Sequence, residues 1–277
     1  MTLLLALMLQ VGPAPTSEPI PALPPEMEQQ RADRARRAAA AEDVVAPSRL
    51  AQCLARTRRD PGGAVEEAEA WLESARGAQR GDAGQCLGVA QAQLGQGAAS
   101  AETFLAARDA TPEGDLRLRA LRGALAGGAL LGEGDPAGAL ALLDVAREDA
   151  RAAGEGTIAG QIALDRAIAL VALDRADEAA QALAAARAAL PDNAQAWLLS
   201  ATLSRRTGDL AEAQARIERA AELAPRDPAV GLEAGVIAAM AGRDEAARRS
   251  WLSVIEMAPD SPAAARAQAY IDRLEPA

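Results

Sequence analysis

The chain of 277 residues is half apolar yet only 2% aromatic, with two cysteines and no histidine. Alanine and leucine therefore supply most of the packing surface, which favours helices. A charged fraction of 25% excludes both a polytopic membrane protein and a fully disordered polymer. A net charge of -10, every basic residue being arginine and none forming a stripe, opposes nucleic-acid binding, which rests on concentrated positive charge.

Leu3 to Val11 form an apolar run too short to span a bilayer and of the length of a signal-peptide core. Residues 1–22 are read as a signal-like segment that enters a proline-rich linker, and the protein as exported, to the bacterial periplasm. Two features oppose this: no Lys or Arg precedes the run, and Pro15 follows the best small-residue cleavage position, Ala14. Without a working signal the protein is cytoplasmic. The stretch from Gly12 to Pro25 has neither helical period nor a cysteine for lipid attachment. Residues 23–47 finish this linker and add a helix over 26–43. There Arg31, Arg34, Arg36 and Arg37 interleave with Glu26, Glu28, Asp33 and Glu42, the pattern of a solvated face rather than an anion site.

From 48 to 275 the chain reads as helical hairpins, broken by Gly or Pro about every 15 residues. A first unit begins near Ser48, with Pro61 shortening its first helix and Gly63, Ala68, Leu72 and Ala75 marking its second half. A second, about 81–114, carries Leu87-Gly88, Gly95, Ser100, Phe104, Ala107 and Pro112. Gly134, Ala139, Leu143 and Ala146 mark a third, whose first helix is lengthened from Asp115; extra residues near Gly154-Glu155-Gly156 then interrupt the period.

Over 160–261 the spacing is strict. Pro191, Pro225 and Pro259 recur at one constant interval, in register with Ala179, Ala213 and Ala247, with Leu183, Ile217 and Trp251, and with Ala186, Ala220 and Val254. Gly208 and Gly242 make a partial column that Asp174 completes. Small, bulky and small residues at i, i+4 and i+7 share one helix face, so Ala213 and Ala220 permit close approach while Ile217 fills the groove between. Gly208-Asp209 ends one helix and starts the next; Asp227-Pro228 and Ser261-Pro262 read as an N-cap followed by proline in the first turn. One helix over 262–274 closes the series.

With these columns the chain resembles the tetratricopeptide repeat family, whose unit is a pair of antiparallel helices of about 34 residues. The resemblance implies an all-α, right-handed superhelical solenoid of about six units with a C-terminal capping helix. A coiled coil is excluded by the regular breaks, since heptads must persist over several turns.

The inventory for chemistry is poor. Without histidine, zincin, Ser-His-Asp and Cys-His constellations are unavailable, and Cys53 and Cys86 lie too far apart in the chain to form a metal-binding pair. Glu66-Glu67 diverge on one helix instead of facing across a cleft. Gly123, Gly127, Gly128 and Gly132 follow no strand, so they read as permitting tight helix packing rather than as a dinucleotide loop. Trp71, Trp197 and Trp251 read as core. No catalytic residue, metal, cofactor or small-molecule substrate is expected.

The family resemblance implies instead a protein-binding groove lined by the first helices of the units. The matching positions are Leu164, Ile168 and Val171; Leu198, Thr202, Arg205 and Arg206; and Leu232, Val236 and Met240. Thr202 and Val236 stand where the chaperone-binding subgroup carries asparagine, which disfavours a carboxylate clamp. The strip suits an amphipathic helix or extended peptide, with Arg205 and Arg206 selecting an acidic residue. It equally suits packing between neighbouring first helices, or cover by the chain's own segment 26–43. Two roles follow: a scaffold for a protein or peptide partner, or a self-associating envelope component. Cys53 and Cys86 fall in the first helices of consecutive units, placed for a disulfide in an oxidising compartment and for two buried thiols in the cytosol.

Overall fold

The computed structural model describes residues 25–42 and 47–274, and the signal-like segment 1–22 lies outside the described residues. The chain divides into two units, Met1–Pro47 and Ser48–Ala277. In the first, the described element is helix α1, Pro25–Glu42, whose side chains from Glu26 to Arg34 are exposed.

The second unit is built from thirteen helices, with no strand among the described residues. They pair in chain order: α2 (Arg49–Thr57) with α3 (Pro61–Ser74), α4 (Ala78–Gln93) with α5 (Gly97–Asp109), and α6 (Leu116–Glu133) with α7 (Pro136–Ala152). Then follow α8 (Gly156–Ala172) with α9 (Ala176–Ala189), α10 (Ala194–Arg206) with α11 (Leu210–Leu223), and α12 (Pro228–Met240) with α13 (Asp244–Met257). The thirteenth, α14 (Pro262–Leu274), packs on both helices of the last pair as a cap. This is the solenoid of six hairpins and a closing helix that the columns predict.

The helix starts follow from local chemistry. Asp60, Asp135 and Asp227 each precede a proline that begins a helix, and each carboxylate accepts an amide of the first turn, from Gly63 at 2.9 Å, Gly138 at 2.9 Å and Ala229 at 2.8 Å. Proline has the φ of a helix and no N–H to leave unsatisfied there. Between the paired helices the chain turns through a left-handed residue: Gly95, Gly134, Gly208 and Gly242 have φ between 72° and 88°, and Asp174 completes the column at 56°.

Packing within each hairpin obeys a second constant spacing. The bulky side chain of each second helix meets a small residue of the first at the same offset every time: Phe104 on Gly88, Leu143 on Gly127, Leu183 on Ala167, Ile217 on Ala201 and Trp251 on Gly235. A Cβ at Gly88, Gly127 or Gly235 would overlap the facing side chain. In the first unit the buried residue is Trp71, while Leu72 is half-buried, a correction to the column reading.

The buried residues form successive clusters along the array, shared by adjacent hairpins or, at the end, by the last hairpin and α14. Arginines tie the pairs together: Arg108 to Asp149 at 2.7 Å, Arg166 to Asp144 at 2.8 Å, and the fully buried Arg122 of α6 to Asp82 at 2.5 Å, to Thr111 and to Gln85. Cys53 of α2 and Cys86 of α4 are joined by a disulfide, with Cα atoms 6.0 Å apart.

Candidate functional site

In this stack α4, α6, α8, α10 and α12 form one layer. α6 packs directly on α8, and α10 on α12, while α4 with α6 and α8 with α10 are more loosely set. Cavities open at both loose junctions.

At the α8–α10 junction, Ile168, Val171, Thr202 and Arg206 line a small apolar cavity of about 110 Å³ with Leu183, Leu199 and Leu203. Four of the ten groove positions read from the sequence therefore meet here. The others behave differently. Leu164 is fully buried in the cluster that also holds Leu140 and Leu131, so it is core and not groove. Leu198, Leu232 and Val236 are half-buried against the clusters of their own hairpins. Met240 is 52% exposed. Arg205 bonds Glu233 of α12 at 2.6 Å, which commits its charge to joining two first helices and leaves Arg206 as the exposed cation of the pair.

The larger cavity, about 620 Å³, opens at the α4–α6 junction and reaches α8. Its walls are Val89 of α4, Phe104 of α5, and Leu121 and Leu125 of α6; its floor is the small-residue face of α6, including Ala124, Gly128 and Gly132. A Cβ at Gly128 or Gly132 would meet no atom within 4 Å. These two glycines do not permit close packing, in contrast to the expectation for the group; Gly123 and Gly127 do, against Ala146 and Leu143. They leave the floor open.

Polar groups also line this cavity. Glu133 accepts the Gly97 amide at 2.8 Å and so caps α5 from the end of α6. Asp165 and Gln161 project from α8 at i and i+4, hydrogen-bonded to one another at 3.2 Å. Burial pushes the Asp165 carboxyl up to about 6, and the neutral Gln161 donor offsets this only in part. Neither Asp165 nor Leu125 is among the residues expected from the sequence. The available signal was an acid placed within the apolar stretch Ile162 to Val171. Among the described residues no group of three or more His, Cys, Asp or Glu side chains could hold a metal ion.

This stack of helix hairpins is the tetratricopeptide-repeat fold. No family model matches the chain, and no curated protein matches it in sequence. Solved structures do match. Pseudomonas aeruginosa pilF aligns with a TM-score of 0.65 and 15% identity over 80% of this chain and 95% of its own. BtubC from P. vanneervenii aligns at 0.59 and 16%, over 83% and 95%. YrrB, described as a TPR protein with an unusual peptide-binding site, aligns at 0.52 and 18%, over 74% and 99%. At such identities the likeness is one of fold.

Proposed function

We propose that the protein is a non-catalytic interaction scaffold that holds a peptide or helix of a partner protein against its layer of first helices, in the bacterial periplasm. The observation that carries this reading is the open junction between α4 and α6, where an apolar cavity of about 620 Å³ is lined by a carboxylate that has no cationic partner. A rigid array with concave, mostly apolar recesses and a few convergent polar groups is suited to ligand capture. The peptide-binding site named for YrrB belongs to that protein and supports the reading only through the shared fold. The Cys53 to Cys86 bond supports an oxidising compartment. Among the described residues no helix is long and apolar enough to cross a membrane.

The test is selection of phage-displayed random dodecapeptides on the immobilised, unreduced full chain. Enriched sequences that bind in solution and are lost on Leu125→Glu uphold a peptide scaffold. Should no sequence be enriched, while sedimentation shows self-association that grows with concentration, the protein is the self-assembling component instead.

A further inference from the structure

The cavity between α4, α6 and α8 has a chemistry more specific than apolarity. Its walls offer Val89, Phe104, Leu121 and Leu125, and its titratable lining groups are both acids, Glu133 and Asp165; no basic side chain lines it. Glu133 is engaged by the Gly97 amide, but Asp165 meets only the neutral Gln161. This sets Asp165 apart. Among the described residues every other half-buried carboxylate is ion-paired, as Asp82, Asp144, Asp149 and Glu233 are, or caps a helix, as Asp115 and Asp227 do. In a chain so rich in arginine, one carboxylate lining a cavity is withdrawn from water without a cation.

The glycine floor points the same way. A glycine inside a helix costs about 1 kcal/mol relative to alanine, and Gly128 and Gly132 return no packing contact for it. What they provide is space beside the backbone.

We propose that this cavity docks a partner peptide presenting a bulky apolar side chain and, about one helical turn away, a lysine or arginine that pairs with Asp165. The inference rests on the peptide-scaffold reading and names its recognition chemistry. The apolar side chain fills the space over Gly128 and Gly132, between Leu121, Leu125 and Val89. The cation supplies the charge-assisted hydrogen bond that Asp165 lacks, in surroundings where water competes weakly. This selectivity is opposite in sign to the arginine-based selection of acids expected from the sequence, which Arg205 forfeits to Glu233.

The test uses the same dodecapeptide library on the full chain, followed by calorimetry with one selected peptide and its analogue carrying norleucine for the basic residue. The expected result is enrichment of an apolar residue three or four positions from Lys or Arg. The norleucine analogue should bind about tenfold more weakly to the unaltered protein, and within about twofold of the parent on Asp165→Asn. Gly128→Leu, whose side chain enters empty space and leaves the hairpin contacts alone, should keep or raise the thermal midpoint and weaken both peptides at least about tenfold. Enriched peptides without a basic residue, or binding indifferent to Gly128→Leu, would overturn this site while leaving the scaffold reading standing. No enriched peptide at all would end both. A photo-crosslinking phenylalanine at Gln93 that reacts only with residues 1–47 of its own chain, or with a second copy, would replace the partner peptide by those occupants and so refute the proposal.

Discussion

At the scale of single residues, Asp165 exposes a conflict between folding and recognition. Its carboxyl titrates at about 6 in the fold, above the value of 3.8 expected when unfolded, so the folded chain binds the extra proton between these values. Its contribution is therefore favourable below about pH 4 and is lost as pH rises through about 6. Asp165→Asn should raise stability at pH 7.5, by about 2 kcal/mol, with the gain vanishing by about pH 4. Urea melts of both proteins across that range check this, and a gain independent of pH would refute it. Its hydrogen-bond partner is Gln161 on its own helix, and the other titratable group lining the cavity is Glu133 of α6, neither of which can replace the missing cation. A similar argument applies to the turn at Asp174, where a side chain occupies the left-handed position that glycine holds in four other units. Asp174→Gly should stabilise the protein by up to about 1 kcal/mol, seen as a rise of roughly 2–4 °C in midpoint. Gly235 shows the reverse constraint, since any side chain there strikes the Trp251 indole, whose Nε1 donates to Leu232 O at 3.1 Å. Gly235→Val should cost at least about 2 kcal/mol and alter the tryptophan emission.

At the scale of elements, α2 and α6 are the exceptions that shape the array. Helix α2 is too short to persist alone, and it is held by Ser48 at its N-terminus, by packing on α3 and α4, and by the bond from Cys53 to Cys86. Closing the loop between these cysteines contributes about 4 kcal/mol on the chain-entropy estimate, before any native strain. Paired Cys53→Ser and Cys86→Ser substitutions should then release α2 first, which amide exchange would show as lost protection over 49–57. Two thiols that react freely in unreduced, denatured protein would refute the bond itself. Helix α6, with 18 residues, is lengthened from Asp115 and packs on α5, α7 and α8. Its Arg122 is buried with Asp82, Gln85 and Thr111 as partners, so the guanidinium substitutes for the apolar plug a shorter unit would use. Arg122→Ala should cost about 3 kcal/mol, from the space left and from partners stranded without a donor, measured as a lower urea midpoint.

At the scale of the whole molecule, stability passes from hairpin to hairpin, and the last exposed face must be closed. Ala267 and Ile271 of α14 bury against Trp251 and Val254, with Tyr270 at 5.2 Å from Trp251 between ring centres. Ile271→Ala should cost about 2–3 kcal/mol and loosen the C-terminal hairpin before the rest, a loss that Trp251 fluorescence would report.

The order of the hairpins was legible because each second helix repeats one small, bulky, small triad at a constant period, and because Asp-Pro and Gly punctuation states where helices begin and turn. Those contacts are local, confined to a single hairpin, and local contacts survive any change elsewhere in the array. The face of the first helices was not legible in the same way. Its geometry depends on how far apart successive hairpins stand, which the insertions around Asp115 and Gly154 to Gly156 change between units. Leu164 and Leu198 occupy equivalent columns, yet Leu131 and Leu140 close over the first while the second is only half-buried against the next cluster. The cavity at Asp165 lies where the period is broken, so no column could announce it. Residue pattern alone determined the hairpins and their number; only the tertiary spacing of first helices decided which residues are core, which arginine is already paired, and which carboxylate is left without a cation, because burial and charge pairing between hairpins depend on distances that no local period encodes.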